Sequence, residues 1–204
     1  MTPEQAEHRV FLDRYYRAAR PLYDVTRKYY LFGRDRALDA LLTRPWASLV
    51  EVGPGTGRNL EILQSRRPWA SYGAIEAADA MLERATVRCP WARFQRAFAE
   101  DADHGAVLGR PPQRILFSYC LSMVQRREEA LQRALAQVAP GGEVHVVDFA
   151  DLGGLPRPLA AGLRAWLALY RVTPLDPGWL AGLGADMSLG PGRYYVLARL
   201  RRPG

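Results

Sequence analysis

Lysine and cysteine are scarce in this 204-residue chain: Lys28 is its single lysine, and Cys89 and Cys120 are its two cysteines. Neither cysteine lies in a C-x-x-C pattern or beside a histidine, which predicts reduced thiols without a disulfide framework or a metal site. No apolar run approaches the ~18 residues of a membrane-spanning helix. The charged start, MTPEQAEHR, lacks the apolar segment of a signal peptide. We therefore expect a cytoplasmic protein that meets a membrane only peripherally, at its inner face.

The composition is that of an ordinary globular protein, with 49% hydrophobic and 24% charged residues. Its length allows one domain over 1–204, which we divide into a helical cap over 1–45 and a core over 46–204. The formal net charge of +7 fits an anionic partner, either nucleic acid or an anionic membrane surface. A separate RNA-binding module, with interleaved aromatic and basic residues, is absent from the sequence.

Short buried strands alternate with helical segments along the core, which predicts a parallel sheet with helices on both faces. A Gly/Pro turn separates 186–189 from 193–200 and predicts an antiparallel hairpin at one sheet edge. The other predicted strands cover 47–52, 71–76, 93–97, 114–118 and 143–149, and the predicted helices cover 4–20, 22–43, 57–66, 79–88 and 127–138.

The stretch LVEVGPGTGRNLEIL, residues 49–63, places three glycines between a strand and a helix. A nucleoside-triphosphatase loop requires Lys and Ser or Thr after its last glycine, but Arg58 and Asn59 follow Gly57. A dinucleotide-binding G-x-G-x-x-G loop would have its third glycine at Arg58. Glu51, just before the glycines, would repel a pyrophosphate but suits a cation, such as the ammonium or sulfonium of S-adenosylmethionine.

This arrangement resembles motif I of class I S-adenosylmethionine-dependent methyltransferases. The resemblance implies S-adenosylmethionine as donor, S-adenosylhomocysteine as product, and no metal. Glu76, at the end of the second predicted strand, is placed to accept hydrogen bonds from both ribose hydroxyls, although a carboxylate there also fits nicotinamide cofactors. Besides Glu51 and Glu76, the implied donor-binding residues are Gly53, Pro54, Gly55, Thr56, Gly57, Ala77, Met81, Glu100, Asp101, Ala102, Ser118 and Tyr119.

Two parts of that set are assigned to the adenine ring. Ala77 and Met81 lie in AADAMLERA, which resembles the stretch whose side chains flank the adenine. Glu100-Asp101-Ala102 resembles the acidic motif that reads the adenine amino group. The bland alternative is that the glycines only make a tight turn and that Glu51 is solvated.

The methyl acceptor has to be inferred from other segments. Enzymes that methylate exocyclic base nitrogens share a [DNS]-P-P-[YFW] motif after the fourth strand, and residues 118–121 read SYCL without prolines. Near the N-terminus, tyrosine and arginine alternate along one side of a helix, where tyrosine faces could hold an ammonium group by cation–π attraction and arginines could hold carboxylates. A half-buried stripe whose arginines reach water is equally compatible. The stripe comprises Tyr16, Arg20, Tyr23, Arg27, Tyr30 and Arg34.

A second segment, GLPRPLAAGLRAWLALYRVTP over 154–174, is amphipathic, with Arg157, Arg164 and Arg171 at seven-residue spacing. A basic helix containing Trp and Tyr can lie in a lipid interface. More often such a helix covers the sheet, with Leu159, Leu163, Trp166, Leu167 and Tyr170 on one face, and we favour that interpretation.

Several stretches together resemble the N-methyltransferase of betaine-lipid synthesis, which trimethylates diacylglyceryl homoserine. They are YDVTRKYYLFGRDR (23–36), VEVGPGTGRNL (50–60), ILFSYCLSM (115–123), LAQVAPGGEVHVVDFAD (135–151) and LPRPLAAGLRAWLALYRVTP (155–174). The resemblance implies an α/β, Rossmann-like fold with a seven-stranded, mostly parallel sheet and an antiparallel last strand. It also implies a lipid substrate at an anionic membrane surface, with the enzyme that makes diacylglyceryl homoserine as a candidate partner.

Candidate acceptor-site residues follow from this hypothesis. Tyr119 and Asp148 are candidates for holding or relaying the proton of the amine, and Tyr23 and Tyr30 for holding the cation. Asp151 follows Ala150 where the family's glycine is expected. His145 is expected to be a packed strand residue. The candidate substrate-binding residues are Tyr23, Arg27, Lys28, Tyr30, Arg34 and Ser122.

Other functions remain compatible with the sequence. Among enzymes, they are methylation of phosphatidylethanolamine or of a small soluble amine. In other classes, they are a non-catalytic scaffold that binds the donor and an RNA-binding protein that exploits the positive charge.

Overall fold

The computed structural model of the protein describes residues 31–204. Within that range, seven strands form one sheet in the spatial order β3-β2-β1-β4-β5-β7-β6. Strands β1 to β5 pair in parallel, and β7 runs antiparallel to both β5 and β6. The strands are β1 Ser48–Val52, β2 Ser71–Glu76, β3 Arg93–Arg96, β4 Arg114–Ser118, β5 Glu143–Phe149, β6 Asp186–Leu189 and β7 Tyr195–Arg201. The predicted fold class, with its reversed last strand, is therefore confirmed.

Helices connect the strands, as the parallel pairing requires. Short 3₁₀ turns cover Leu121–Met123 and Pro191–Arg193. The α-helices of the described range are α1 Arg34–Leu42, α2 Arg58–Arg66, α3 Asp79–Arg88, α4 His104–Leu108, α5 Arg127–Gln137, α6 Arg157–Ala168 and α7 Pro177–Gly182.

Alternate residues of the central strands serve different hydrophobic clusters, because successive side chains of a strand point to opposite faces. Leu49 and Leu116 pack with leucines of α1 and α2, whereas Val50 and Ile115 pack with small residues and Leu131 of α5. Helices thus cover both faces of the sheet, and this arrangement fixes the ends of β1, β2, β4 and β5 along one edge.

The helix predicted over 22–43 is wrong at its centre, because α1 begins only at Arg34. Gly33 adopts a left-handed backbone with φ 80°, and the Tyr195 ring packs directly against it. A Cβ at Gly33 would lie 2.4 Å from Tyr195 Cε2, so the chain must turn here with a residue that has no side chain. The predicted helix over 4–20 lies outside the described residues, and so do residues 22–30 of the second predicted helix.

The amphipathic helix expected within 154–174 is also shorter than predicted. Helix α6 spans Arg157–Ala168 and buries only Ala160 and Leu167. Leu159, assigned to the packed face, is instead exposed. In the part of the chain from residue 31 onward, no helix is long and apolar enough to cross a bilayer.

Candidate functional site

The glycine loop forms the turn between β1 and α2 in left-handed backbone conformations. Gly53, Gly55 and Gly57 have φ values of 66°, 58° and 81°, which favour glycine strongly. A Cβ at Gly53 would lie 2.6 Å from Cys120 Cβ, and one at Gly57 would lie 3.0 Å from Cys89 Sγ. The loop therefore exposes bare main chain because it is pressed against two cysteines on its other side.

Glu51 lies beneath this loop and is completely buried. The Asn59 amide donates to its Oε1 at 2.7 Å, while Oε2 is buried without a hydrogen-bond partner among residues 31–204. Burial raises the pKa of Glu51 to about 7, against the lowering effects of the Asn59 hydrogen bond and the charge of Arg34. A buried carboxylate with an unused oxygen favours a cation or a hydrogen-bond donor at that point. The solvated alternative for Glu51 is wrong.

Glu76 ties the loop to the next strand and helix. Its Oε2 accepts a hydrogen bond from the Gly55 backbone N–H at 3.2 Å, and its Oε1 accepts one from the Ala78 N–H at 3.0 Å. A carboxylate oxygen can accept more than one hydrogen bond. Hydroxyl donors such as those of a ribose could use this capacity, so the geometry fits the predicted role, which stays a prediction.

Three carboxylates converge on Cys120, which follows β4. Burial and the charges of Asp148, Glu51 and Glu76 raise the pKa of its thiol well above the usual value. The thiol donates to the Val52 carbonyl at 3.0 Å. The chain is positively charged as a whole, yet the ends of β1, β2 and β5 bring three carboxyl groups together at this edge.

Asp148 and Tyr119, the candidate proton carriers, are held by backbone groups. The N–H groups of Ser122 and Phe149 donate to the two Asp148 oxygens at 2.9 and 2.8 Å, and burial raises the pKa of Asp148 to about 6. The Tyr119 hydroxyl donates to the Phe32 carbonyl, and burial raises the pKa of that hydroxyl. Both residues thus position the loop after β4, and their proposed catalytic roles stay predictions.

The remaining predicted residues of the loop and of the acceptor side have defined places. The Pro54 carbonyl accepts from the Gly57 N–H at 3.0 Å, and the Thr56 hydroxyl accepts from Arg88 at 3.1 Å. Ser118 ends β4 with a buried hydroxyl that has no hydrogen-bond partner in the described part of the chain. Ser122 is buried and reaches the site through its main chain.

The two acidic adenine-reading candidates lie beside Arg126. Its guanidinium pairs with Asp101 at 2.8 Å and lies 3.8 Å from buried Glu100. Met81 and Ala102 are fully buried, and Ala77 is half-buried. The structure thus brings the predicted acidic motif together, and it adds an arginine that the sequence alone did not single out.

Asn59 is the other contact that sequence reasoning missed. It lies in the first turn of α2, two residues after Gly57, where a side chain can reach back to the preceding strand. A further missed feature is an aromatic ladder, which we define as Tyr119, Phe149, Tyr194 and Phe32. Consecutive rings are edge-to-face with centroids 4.8, 5.5 and 5.4 Å apart, and the ladder runs from the buried site to the exposed Phe32.

His145 is buried on β5, as expected. Of the tyrosine–arginine stripe, only Arg34 lies within the described residues. The others, Tyr16, Arg20, Tyr23, Arg27 and Tyr30, lie outside them, as does Lys28.

Comparison with known proteins identifies the family of this chain. Residues 23–174 match the family model of a methyltransferase domain, and since this span is most of the chain, the protein belongs to that methyltransferase family. A trans-aconitate 2-methyltransferase of Variovorax paradoxus (strain S110) is 33% identical over 113 residues, covering 53% of this chain and 42% of the relative. The chain spans less than half the length of the curated relatives it matches.

Solved structures share the fold. The structure titled "DhpI-SAM-HEP complex" superposes with a TM-score of 0.68 at 20% identity, covering 100% of both chains. The N-methyltransferase NodS from Bradyrhizobium japonicum WM9, solved with S-adenosyl-L-homocysteine, superposes with a TM-score of 0.64 at 16% identity, covering 88% of this chain and 91% of NodS. At these identities the likeness shows the class I methyltransferase fold.

Proposed function

We propose that this protein transfers methyl groups from S-adenosylmethionine to the amine of a membrane lipid, diacylglyceryl homoserine. The observation that carries the proposal is the buried Glu51 carboxylate, which has one oxygen unused and lies beside left-handed glycine backbone. When bound, S-adenosylmethionine supplies an activated methyl group on a positively charged sulfur. The residues present fit such a group, because bare main chain allows close approach and the carboxylate matches the positive charge.

The roles of this chain's residues follow from their contacts. Glu51 offers negative charge from below the glycine loop, and Glu76, held by the Gly55 and Ala78 N–H groups, offers acceptors for hydroxyls. Asp101, held by Arg126, offers an acceptor for an exocyclic amine. In-line displacement requires alignment more than acid–base chemistry, and these fixed carboxylates supply alignment.

The amine acceptor is supported by the charge of the same edge. An amine loses its proton to attack and regains positive charge as its new bond to carbon forms, so surrounding carboxylates stabilise the product side of the reaction. The aromatic ladder adds ring faces that attract an ammonium group. The stretches at 23–36 and 155–174, which resemble the betaine-lipid family, support the identity of the lipid.

A second candidate is methylation of a carboxylate on a small polyacid. The relatives named trans-aconitate 2-methyltransferase, 30–34% identical over 113–122 residues, favour it. The carboxylates around Cys120 weigh against it, since they repel a polyanionic acceptor.

The test is methylation by purified protein of diacylglyceryl homoserine in mixed micelles, using donor labelled at the methyl group. Parallel reactions contain phosphatidylethanolamine, a soluble primary amine or trans-aconitate. We expect label in the organic extract of the first reaction, and a loss of donor affinity of about tenfold or more in Glu51→Gln. Glu128→Gln, an exposed glutamate on α5, is the matched control. Label in trans-aconitate with none in lipid would assign the second candidate.

A further inference from the structure

Helix α6 is apolar around most of its circumference. Its packed side is formed by Ala160 and Leu167. Leu159 and Leu169, on the flank and at the end, are 57% and 72% exposed. The exposed arginines Arg157 and Arg164 lie along one flank. The other exposed residues of α6 are apolar, namely Leu159 and the small residues Pro158, Ala161, Gly162, Ala165 and Ala168.

A surface helix normally turns charged or polar residues outward. Helix α5 of this protein does so, because Glu128, Gln132 and Arg133 lie on its exposed side. The outward face of α6 therefore lacks the polar side chains that usually face water, and an apolar partner would bury it.

The charges around α6 select the kind of partner. Arg157 and Arg164 flank the apolar face and are exposed, although the Arg164 guanidinium also donates to the neutral Asp151 main-chain carbonyl. Arg171 follows just beyond the helix end. From residue 152 to residue 175 the sequence contains no aspartate or glutamate. Asp151, which precedes this stretch, is already paired with Arg193. The surface is therefore complementary to an anionic partner.

Amphipathic aromatics complete the pattern of a membrane interface. Trp166 and Tyr170, one turn apart, contact each other edge-to-face with centroids 5.2 Å apart and are half-buried. Such side chains favour the boundary between hydrocarbon and water. The apolar face, the flanking arginines and these two aromatic residues all belong to one continuous segment.

The location of α6 relates this surface to the acceptor side of the site. Ala160 and Leu167 pack in the same cluster as Tyr119 and Phe149. The Thr173 N–H, beyond the helix, donates to the Ser122 carbonyl at 2.9 Å. The exposed end of the aromatic ladder, Phe32, is 53% exposed.

We propose that α6 and its flanking arginines form a surface that docks on an anionic lipid bilayer, with the helix lying in the interface. This surface, defined as Leu159, Leu169, Arg157, Arg164 and the small residues of α6 between them, is the docking face. The inference rests on the proposed function, since a lipid-borne acceptor requires contact with a membrane. Docking places the acceptor side of the site against the bilayer, so that a lipid amine reaches it without leaving the membrane.

The experiment is flotation of the full chain with vesicles of phosphatidylcholine alone or with about 30% phosphatidylglycerol, which gives an anionic surface. We expect binding to the anionic vesicles. The variant Leu159→Ser/Leu169→Ser should bind about tenfold or more weakly. The variant Arg157→Gln/Arg164→Gln should lose about fivefold per arginine on anionic vesicles only.

Matched controls are Trp69→Ser and Val87→Ser, which remove apolar side chains that are 73% and 83% exposed in other parts of the molecule. They should leave vesicle binding unchanged. Equal losses in the control and docking-face variants, or no loss in the latter, would overturn the proposal. A dimer in light scattering that Leu159→Ser/Leu169→Ser converts to monomer would assign the face to a second copy instead.

The two proposals fail in distinguishable ways. Donor binding by calorimetry should be unchanged in Leu159→Ser/Leu169→Ser, which also shows that the variant is folded. Vesicle binding without lipid methylation would sink the assigned acceptor and leave the docking face intact. Lipid methylation without vesicle binding would contradict the docking face and leave the assigned acceptor intact.

Discussion

Glu51 and Glu143 are buried glutamates in neighbouring parts of one sheet, but they lie at opposite ends of its parallel strands. Glu51 is near the end of β1, with Asn59 as its hydrogen-bond donor, and burial raises its pKa to about 7. Glu143 begins β5, where burial works to raise its pKa, but the hydrogen bond from His145 and the charges of Arg114 and Arg199 together lower it.

The difference lies in the supply of positive charge within the chain. Arg114 and Arg44 lie 3.3 Å from Glu143, and Arg199 lies at 3.8 Å. His145, at 3.1 Å, adds a hydrogen bond and no charge at neutral pH, because burial lowers its pKa to about 4. Glu143 is therefore neutralised by charges within the chain. We call Glu143 with Arg114, Arg44 and Arg199 the charged clamp. For Glu51, the Asn59 hydrogen bond and the charge of Arg34 do not offset burial, and we propose that a cationic ligand supplies the remaining compensation.

Breaking the clamp should have the largest effect on stability. Glu143→Gln leaves Arg114, which is buried, and its neighbours without a counter-charge. We expect the free energy of unfolding to fall by about 3 kcal/mol, as when one partner of a buried ion pair is removed. Urea denaturation at pH 7.5 measures this change, with Glu128→Gln expected within about 0.5 kcal/mol of the parent. An equal stability of the two variants would show that Glu143 is not a clamp.

Glu51→Gln should change the free energy of unfolding in the opposite direction, by raising it. Because the folded pKa is about 7 and the ordinary value is 4.5, the folded protein holds a proton that the unfolded chain has released between these values. Stability of the parent protein therefore falls as pH rises through this window. Relative to the parent, the variant should gain up to about 3 kcal/mol between pH 4.5 and 8. Denaturation curves of both proteins across that pH range measure this gain. A difference in free energy of unfolding that stayed constant with pH would contradict the raised pKa of Glu51.

Asn59→Ala sharpens the comparison by removing the hydrogen bond that Glu51 accepts. The pKa of Glu51 should rise further, and the free energy of unfolding should fall by about 1 kcal/mol at neutral pH. The parent's downward pH trend should move to higher pH. The double variant Glu51→Gln/Asn59→Ala is compared with Glu51→Gln alone. If adding Asn59→Ala lowered the free energy of unfolding as much there as it does in the parent protein, the two side chains would act independently.

Arg199→Gln should have the smallest effect. Its guanidinium is partly exposed and lies 3.8 Å from Glu143, which retains Arg114 and Arg44. We expect a loss below about 1 kcal/mol, measured in the same urea titration. A loss matching that of Glu143→Gln would mean that Arg199 alone sustains the clamp.

Much of the fold followed from local sequence. The strand before the glycine loop and the helix over Arg127–Gln137 matched their predictions closely, since apolar periodicity and glycine spacing are set by neighbouring residues. The donor-binding role assigned to Glu51 from its place before the glycines stays a prediction. The break at Gly33 was not predicted, because its cause is the ring of Tyr195, far along the chain.

The same limit applies to the sites. The charged clamp gathers residues from four separate segments around Glu143, and no spacing in the sequence brings them together. For 154–174 the sequence allowed a lipid interface but favoured packing against the sheet, because the alanines of α6 are equally typical of a packed helix. What a residue contacts across the fold decides these cases, and tertiary packing is not encoded in local pattern.

The most direct test of the central claim is calorimetric titration of the protein with S-adenosylmethionine from pH 5.5 to 8.5, with Glu51→Gln beside it. If Glu51 ionises to match the donor's positive charge, the affinity of the parent should strengthen as pH rises through about 7, with proton release on binding, whereas the variant should bind weakly without that dependence. The variant also controls for groups that titrate on the ligand. Equal affinity and equal pH dependence in the two proteins would contradict the claim.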